Sequence, residues 1–220
     1  VWGGWGEQGE LTLDRVRGVT AEACRFLRKV RVQRVATIAH GAGVGGMNHE
    51  GVAQAVTEGG ILGLYIFQKH ATKEPEFGEV KDLTIVERDK EKLPQMERGI
   101  IRGKAFADAT CLARDMANEP ANHMTPTHMA ERAREIAQTY SLEFTIVDRE
   151  EMEELGMGAF LGVAQGSRQP PKFITISYNG DPSSQNALGL IGKGVTFDSG
   201  GVSIKPSEGM GDMKGDMAGG

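Results

Sequence analysis

Residues 190–220, LIGKGVTFDSGGVSIKPSEGMGDMKGDMAGG, place lysines and aspartates among closely spaced glycines. This segment has little apolar bulk, so it is poorly suited to building a hydrophobic core. Glycine lets a backbone approach a central object closely, and carboxylates are hard ligands for Mg²⁺, Mn²⁺ or Zn²⁺. A lysine near divalent cations can lose its proton and coordinate as a neutral amine. From these residues alone, the segment is either a metal site or a polar loop with solvated charges.

A candidate strand leads into the glycine-rich segment. Residues 187–191 (ALGLI) predict a buried strand, which would place Lys193 at its carboxyl end, where open α/β sheets hold their ligands. Asp198 follows five positions later, Lys205 seven positions after that, and Asp216 a further eleven positions on. These four side chains are the candidate site residues.

This pattern resembles the signature of the leucyl aminopeptidase (cytosol aminopeptidase) family, whose members are two-metal exopeptidases. The resemblance rests on GKGVTFDSGGVSIKPS over 192–207, on the MxxMKGDMAG pattern over 210–219, and on the spacing of the four candidate residues. Upstream, Asn118-Glu119-Pro120-Ala121-Asn122 followed by Met124-Thr125-Pro126 resembles the family's entry into its catalytic domain. The resemblance is strong over residues 95–220 and looser over the first domain.

The resemblance implies a role for each candidate residue. Lys193 matches the amine ligand of the tighter metal site, Asp198 the carboxylate that bridges two metals, and Asp216 a further ligand of the tighter metal. Lys205 matches the catalytic lysine, which polarises the scissile carbonyl and stabilises the oxyanion. Met213 matches a wall of the pocket for the N-terminal side chain of the substrate.

The resemblance also implies an activity, a cofactor and an assembly. Members of the family hydrolyse the first peptide bond of a peptide with a free N-terminus, and leucine-like residues are preferred. They use two divalent metal ions, Mn²⁺ or Zn²⁺ with Mg²⁺ as a further option, to activate a water and hold the amino group. They are usually homohexamers, so we expect a homo-oligomer located in the cytoplasm.

The family pattern is incomplete at the carboxyl end of the chain. Its second ligand block, an Asn-Thr-Asp-Ala-Glu-Gly-Arg segment, belongs beyond Asp216, whereas the sequence stops at Gly220. Because Val1 and Gly220 both look like cut ends, we expect the front part of a catalytic domain. We also expect the 220-residue chain alone to be inactive. An alternative is a non-catalytic oligomerising or binding protein derived from the same fold.

The remaining sequence predicts two α/β domains with a mostly parallel central sheet, because helical and strand patterns alternate. We predict an N-terminal α/β domain over 1–93, a connecting helix over 94–117, and a truncated α/β catalytic domain over 118–220. The further predicted strands cover 32–39, 81–87, 143–147 and 173–178, and the further predicted helices cover 20–30, 50–64 and 150–155, with another from Thr125.

Two helices carry a predicted buried face. For the connecting helix the apolar line consists of Ile101, Ala105, Ala109, Leu112 and Met116. For the helix that Thr125 can cap, with Pro126 at its first position, the face consists of Met129, Ala133, Ile136, Ala137 and Tyr140.

A second glycine cluster, Gly41–Gly46, fits G-x-G-x-x-G between a predicted strand and a predicted helix. In a dinucleotide site this turn is followed, about 20 residues later, by an acidic residue that holds the ribose. No Asp or Glu occurs between Glu58 and Glu74. The cluster therefore predicts a tight strand-to-helix turn, with nucleotide binding as a weak alternative.

Composition excludes several other classes of protein. A net charge of -5, with no basic run, gives no support to binding of nucleic acid or an anionic membrane. No apolar run reaches the length that spans a bilayer. Cys24 and Cys111 lie far apart in predicted helices, which favours two reduced thiols in a cytosolic protein over a disulfide.

Overall fold

The computed structural model describes residues 10–220, and the chain divides into two compact units between Leu112 and Ala113. The elements that lie in the first unit are helix α1 (Leu13–Lys29), strand β1 (Arg34–Ile38), helix α2 (His49–Leu64), strand β2 (Asp82–Val86) and a 3₁₀ turn (Lys90–Lys92). Helix α3 (Leu93–Asn118) begins in the first unit and ends in the second. Residues 1–9, which belong to the predicted N-terminal domain, lie outside the described residues.

The second unit alternates helices with short strands. Its elements are helix α4 (Pro126–Tyr140), strand β3 (Glu143–Val147), helices α5 (Arg149–Glu154) and α6 (Gly158–Ala164), strand β4 (Phe173–Ser177) and a 3₁₀ helix (Met210–Met217). The predicted α/β fold class is confirmed, as is the long helix predicted over 94–117. Helix α6 was not predicted from the sequence.

The first unit is built on one parallel strand pair. Strands β1 and β2 pair in parallel from Arg34–Asp82 to Ile38–Val86, and helix α2 lies between them in the chain. A parallel pair needs such a crossover, since its strands cannot be joined by a tight turn. The core of the unit contains the buried side chains of Val16, Ala39, Met47, Val52, Ala53, Ala55, Val56 and Met96.

Helix α3 buries a different face from the one predicted. Its buried residues are Met96, Gly99, Gly103 and Ala107, whereas Ile101 is 70% exposed. A Cβ atom on Gly99 would lie 2.1 Å from the carbonyl oxygen of Glu50 in α2, so only glycine permits this approach. The apolar line predicted from Ile101 was wrong because the helix packs at glycine positions. A hydrophobic pattern does not predict such a contact, since glycine has no side chain.

Strands β3 and β4 of the second unit pair with each other antiparallel, from Glu143–Ser177 to Val147–Phe173. This pair differs from the mostly parallel sheet expected for the catalytic domain. The buried strand predicted over 187–191 was also wrong, because these residues form no strand and Leu188, Leu190 and Ile191 are exposed. A strand needs a neighbour for its backbone N–H and C=O groups, and 187–191 has none within residues 10–220.

Helix α4 begins as the sequence predicts. The Thr125 hydroxyl accepts a hydrogen bond from the backbone N–H of His128, and Pro126 occupies the first turn. Its fully buried residues are Ala130 and Ala137, whereas Tyr140 is exposed, so Tyr140 was wrongly placed on the buried face. Cys24, which is buried, and Cys111, which is partly buried, are not joined in a disulfide. None of the helices in residues 10–220 has the length and apolar character needed to cross a bilayer.

Candidate functional site

The glycine-rich segment after β4 is irregular, and its two ends lie in contact at Gly192 and Gly220. A Cβ atom on Gly192 would lie 2.2 Å from the Cα of Gly220, and one on Gly220 would lie 2.5 Å from the carbonyl oxygen of Lys193. The two backbones therefore touch where neither has a side chain. This contact brings the chain that follows the 3₁₀ helix Met210–Met217 against Lys193.

The carboxylate of Asp198 is the centre of a cluster. Lys193 donates a hydrogen bond to Asp198 Oδ2 over 2.9 Å, and Lys205 Nζ lies 3.3 Å from the same oxygen. The backbone N–H of Gly200 donates to the other oxygen, Oδ1, over 3.0 Å. The structure thus brings together three of the four polar residues predicted from the sequence.

Glycine 200 shapes the loop that holds this carboxylate. Its φ of +90° lies in the left-handed region, and a Cβ atom there would lie 2.3 Å from the carbonyl oxygen of Ser203. The backbone N–H of Lys205 donates to Ser199 over 2.9 Å, which closes the same loop. The Gly200 N–H was not predicted from the sequence as part of the site. An aspartate followed by Ser-Gly-Gly is nonetheless a recognisable signal for a turn in which the side chain accepts from the backbone two residues on.

The cluster keeps Asp198 ionised. The hydrogen bond from Lys193 has the largest effect, and with those from Gly200 and Lys205 it lowers the pKa of Asp198 to about 2. The carboxylate therefore remains negatively charged throughout the neutral range. The Asp198 side chain is 31% exposed and that of Lys205 26%, so both remain accessible from solvent.

Asp216 and Met213 lie on the 3₁₀ helix Met210–Met217. Met213 is partly buried, as a residue lining a pocket can be, whereas Asp216 is exposed. Within residues 10–220, Asp216 makes no hydrogen bond or ion pair with the cluster around Asp198. The structure therefore does not join the fourth predicted polar residue to the other three.

The types of donor atom in the Asp198 cluster suit a divalent metal ion. Asp198 and Lys193 converge within hydrogen-bonding distance, and a carboxylate with a deprotonated amine would suit a divalent ion. In the part of the chain from 10 to 220, no group of three or more His, Cys, Asp and Glu side chains is arranged to hold a metal ion. Lys193 and Asp198 would thus supply only part of the ligands that a divalent ion requires.

Near the 3₁₀ helix, one electrostatic influence was not predicted from the sequence. Glu119 is 3% exposed at the end of α3, and Lys214 is partly buried next to Met213. Burial lowers the pKa of Lys214, while the negative charge of Glu119 acts in the opposite direction and raises it. The sequence shows a single acidic residue between a helix end and Pro120, which does not indicate that it affects the pKa of a lysine far along the chain.

The Gly41–Gly46 cluster forms the predicted turn between β1 and α2. Gly41, Gly43, Gly45 and Gly46 all have positive φ, and a Cβ atom on Gly41 would lie 2.8 Å from the Cδ2 of Leu11. The amino end of α2 is already capped, since the Asn48 side chain accepts from the backbone N–H of Gly51 over 2.7 Å. Positive φ at all four glycines and close packing at Gly41 account for this turn without a phosphate ligand.

Comparison with known proteins links this geometry to one family. The model of the cytosol aminopeptidase family, catalytic domain, matches residues 111–220. A protein of Alkaliphilus metalliredigens described as a probable cytosol aminopeptidase is 45% identical over 98% of this chain, which spans 43% of that relative. A second, from Roseiflexus castenholzii, is 41% identical over 98% of this chain, which spans 44% of it.

Solved structures agree with these relatives. The bottromycin maturation enzyme BotP in complex with Mn aligns with a TM-score of 0.79 and 32% identity, over 98% of this chain and 45% of its own. A mutant of tomato leucine aminopeptidase aligns with a TM-score of 0.77 and 29% identity, over 93% of this chain and 39% of its own. The chain thus spans less than half the length of each of these relatives. Because the family model matches half of the chain and includes every residue of the Asp198 cluster, this protein belongs to the cytosol aminopeptidase family.

Proposed function

We propose that this chain is the front part of a metal-dependent aminopeptidase, which removes N-terminal residues, leucine-like ones preferred, from peptides. The observation that carries this proposal is the Asp198 carboxylate held between Lys193 and Lys205 within the matched catalytic segment. The substrate is then a peptide with a free N-terminus. The names of the relatives support the peptidase class.

In this proposal Lys193, Asp198 and Asp216 would hold the metal ions, and Asp198 would be the ligand common to both. The ions are two Mn²⁺ or Zn²⁺, with Mg²⁺ as a further option, and the Mn complex of the structural neighbour BotP supports divalent metal. When bound, such ions supply Lewis acidity and an activated water for hydrolysis of a peptide bond. To coordinate, Lys193 would have to release to solvent the proton that it directs at Asp198.

Lys205 is the proposed catalytic lysine. Its ammonium group is anchored 3.3 Å from Asp198 Oδ2 and remains partly exposed, so it can donate a hydrogen bond to a substrate oxygen. A fixed cation of this kind stabilises the negative charge that develops on the scissile carbonyl oxygen. Met213 lines the pocket for the N-terminal side chain.

The assay that tests the proposal compares leucyl-glycyl-phenylalanine with its N-acetylated form. The enzyme is the protein encoded by the complete reading frame that contains these residues, supplied with Mn²⁺. We expect release of free leucine and intact glycyl-phenylalanine from the first peptide, and no cleavage of the acetylated one. Equal cleavage of both peptides, or cleavage at the internal bond first, would contradict an aminopeptidase.

The 220-residue chain serves as the second sample in that assay. We expect it to release no leucine, because its three candidate ligands do not complete two metal sites. Metal-dependent release of leucine by this chain alone would overturn that part of the proposal.

Assembly and location follow from the same family. We propose a homo-oligomer, a hexamer by resemblance, in the cytoplasm. A non-catalytic oligomerising protein is not proposed, because the family match falls on the segment that carries the candidate ligands. Nucleotide binding at Gly41–Gly46 is not proposed either, since Leu11 and Met47 pack against Gly41 and no acidic residue follows at the spacing that a ribose contact requires.

A further inference from the structure

We propose that Gly200 is a positioning residue, which holds Asp198 and Lys205 in a fixed relation to each other. Its backbone N–H fixes one oxygen of the Asp198 carboxylate, and its lack of a side chain lets the backbone turn back so that Lys205 reaches the other oxygen. The consequence for catalysis rests on the proposed function, whereas the local arrangement does not depend on metal or activity.

The two oxygens of the Asp198 carboxylate have different kinds of partner. The backbone N–H of Gly200 donates to Oδ1 over 3.0 Å, whereas Nζ of Lys193 and Nζ of Lys205 lie 2.9 Å and 3.3 Å from Oδ2. A lysine ammonium moves on a flexible four-carbon stem, but a backbone N–H two residues from the carboxylate is fixed by the turn itself. Gly200 therefore sets the rotation of the carboxylate and leaves Oδ2 to the lysines.

The loop from Ser199 to Lys205 closes around Gly200. The backbone N–H of Lys205 donates to the carbonyl oxygen of Ser199 over 2.9 Å. A Cβ atom on Gly200 would lie 2.3 Å from the carbonyl oxygen of Ser203, and 3.1 Å from both the Cγ and the backbone nitrogen of Lys205. No rotation of a side chain relieves these contacts, because Cβ is its first atom and the nearest neighbour is backbone. Any other residue at 200 must therefore displace Lys205 relative to Asp198.

The next residue, Gly201, provides a matched control within the same turn. Gly201 also has a positive φ, +69° against +90° for Gly200, so a side chain at either position meets the strain of the left-handed conformation. A Cβ atom on Gly201, however, would have no neighbour within 4 Å. Comparison of alanine at the two positions therefore separates the conformational need for glycine from the need for empty space beside Lys205.

Amide hydrogen exchange of the metal-free 220-residue chain, followed by NMR, tests the local arrangement. In Gly200→Ala we expect exchange of the Lys205 N–H to rise about fivefold, because its hydrogen bond to Ser199 is lost. In Gly201→Ala the same exchange should stay within twofold of the unmutated chain. Equal exchange of the Lys205 N–H in the two variants, to within twofold, would overturn the proposal.

A second variant, Asp198→Ala, tests the hydrogen bond of Gly200 without adding any atom to the loop. It removes the acceptor of the Gly200 N–H from a side chain that is 31% exposed, so no cavity forms in a core. We expect exchange of the Gly200 N–H to rise about tenfold, since a hydrogen bond to a charged group is lost. Unchanged exchange of this N–H would show that Gly200 does not hold the carboxylate, and would overturn the proposal by itself.

The consequence for the site is measured on the protein encoded by the complete reading frame. Relative to Gly201→Ala, we expect Gly200→Ala to lower both the affinity for Mn²⁺, determined by calorimetry without peptide, and kcat by about 10–100-fold. The KM for a leucyl peptide should stay within threefold, because the Met213 pocket is unchanged. Equal Mn²⁺ affinity in the two variants would contradict a positioning role at the metal site. If the unmutated protein binds no Mn²⁺, the proposed function fails, while amide exchange still decides whether Gly200 positions Asp198 and Lys205.

Discussion

Asp198→Asn is expected to reduce the rate of leucine release by about a thousandfold, at the upper end of what one electrostatic group contributes. Asparagine keeps the size of the side chain but carries no charge. The change removes the proposed bridging ligand and leaves Lys193 and Lys205, which now share one carboxylate oxygen, without their common counter-charge. The measurement is kcat/KM for a leucyl peptide, with the complete protein and saturating Mn²⁺.

A second aspartate of the same unit provides the control for this variant. Asp181 is exposed and interacts with its own turn, where its Oδ1 accepts from the backbone and hydroxyl of Ser183. We expect Asp181→Asn to keep kcat/KM within twofold of wild type. If Asp198→Asn retained more than a tenth of the kcat/KM of Asp181→Asn, the Asp198 cluster would not be the catalytic centre.

Gly99→Ala is expected to lower the free energy of unfolding of the first unit by about 2–3 kcal/mol. The added Cβ would lie 2.1 Å from the carbonyl oxygen of Glu50, and both partners are helix backbone that cannot move away alone. Helices α2 and α3 must separate to accept the methyl group, which loosens the core around Met96 and Val52. Urea unfolding of the 220-residue chain, followed by circular dichroism, measures the shift in midpoint.

The control for this substitution is Gly18→Ala, in the middle of α1. A Cβ atom at Gly18 would have no neighbour within 4 Å, so only helix propensity changes there. Alanine then stabilises the helix by about 0.5–1 kcal/mol. Should Gly99→Ala prove as harmless as Gly18→Ala, α3 would not pack on α2 through its glycines.

Local signals were enough to predict most of the helices and strands. Thr125 and Pro126 mark the start of α4 through capping, which needs no tertiary partner. The β-branched residues within 173–177 favour a strand by local propensity, and β4 forms there. Pairing of strands was not predictable, because it depends on residues far apart in the chain. The apolar run at 187–191 was therefore predicted as a strand although its side chains are exposed.

In the candidate site, too, the residues were predicted from the sequence, whereas some of the contacts that they make were not. Spacing and family resemblance identified Lys193, Asp198 and Lys205, which the structure brings together. The hydrogen bond from the Gly200 N–H was missed, since it depends on a left-handed turn. The electrostatic influence of Glu119 on the pKa of Lys214 was missed as well, since the two residues lie almost 100 positions apart.

If the Asp198 cluster belongs to a metal-dependent aminopeptidase, as proposed, activity must depend on bound metal, and a metal titration measures that dependence. The complete protein is stripped of metal with a chelator, and the rate of leucine release is then measured while Mn²⁺ is returned stepwise. We predict no release from the stripped protein, and a rate that rises with Mn²⁺ until about two ions are bound per chain. Full activity in the stripped protein, or a rate that Mn²⁺, Zn²⁺ and Mg²⁺ all fail to raise, would contradict the claim.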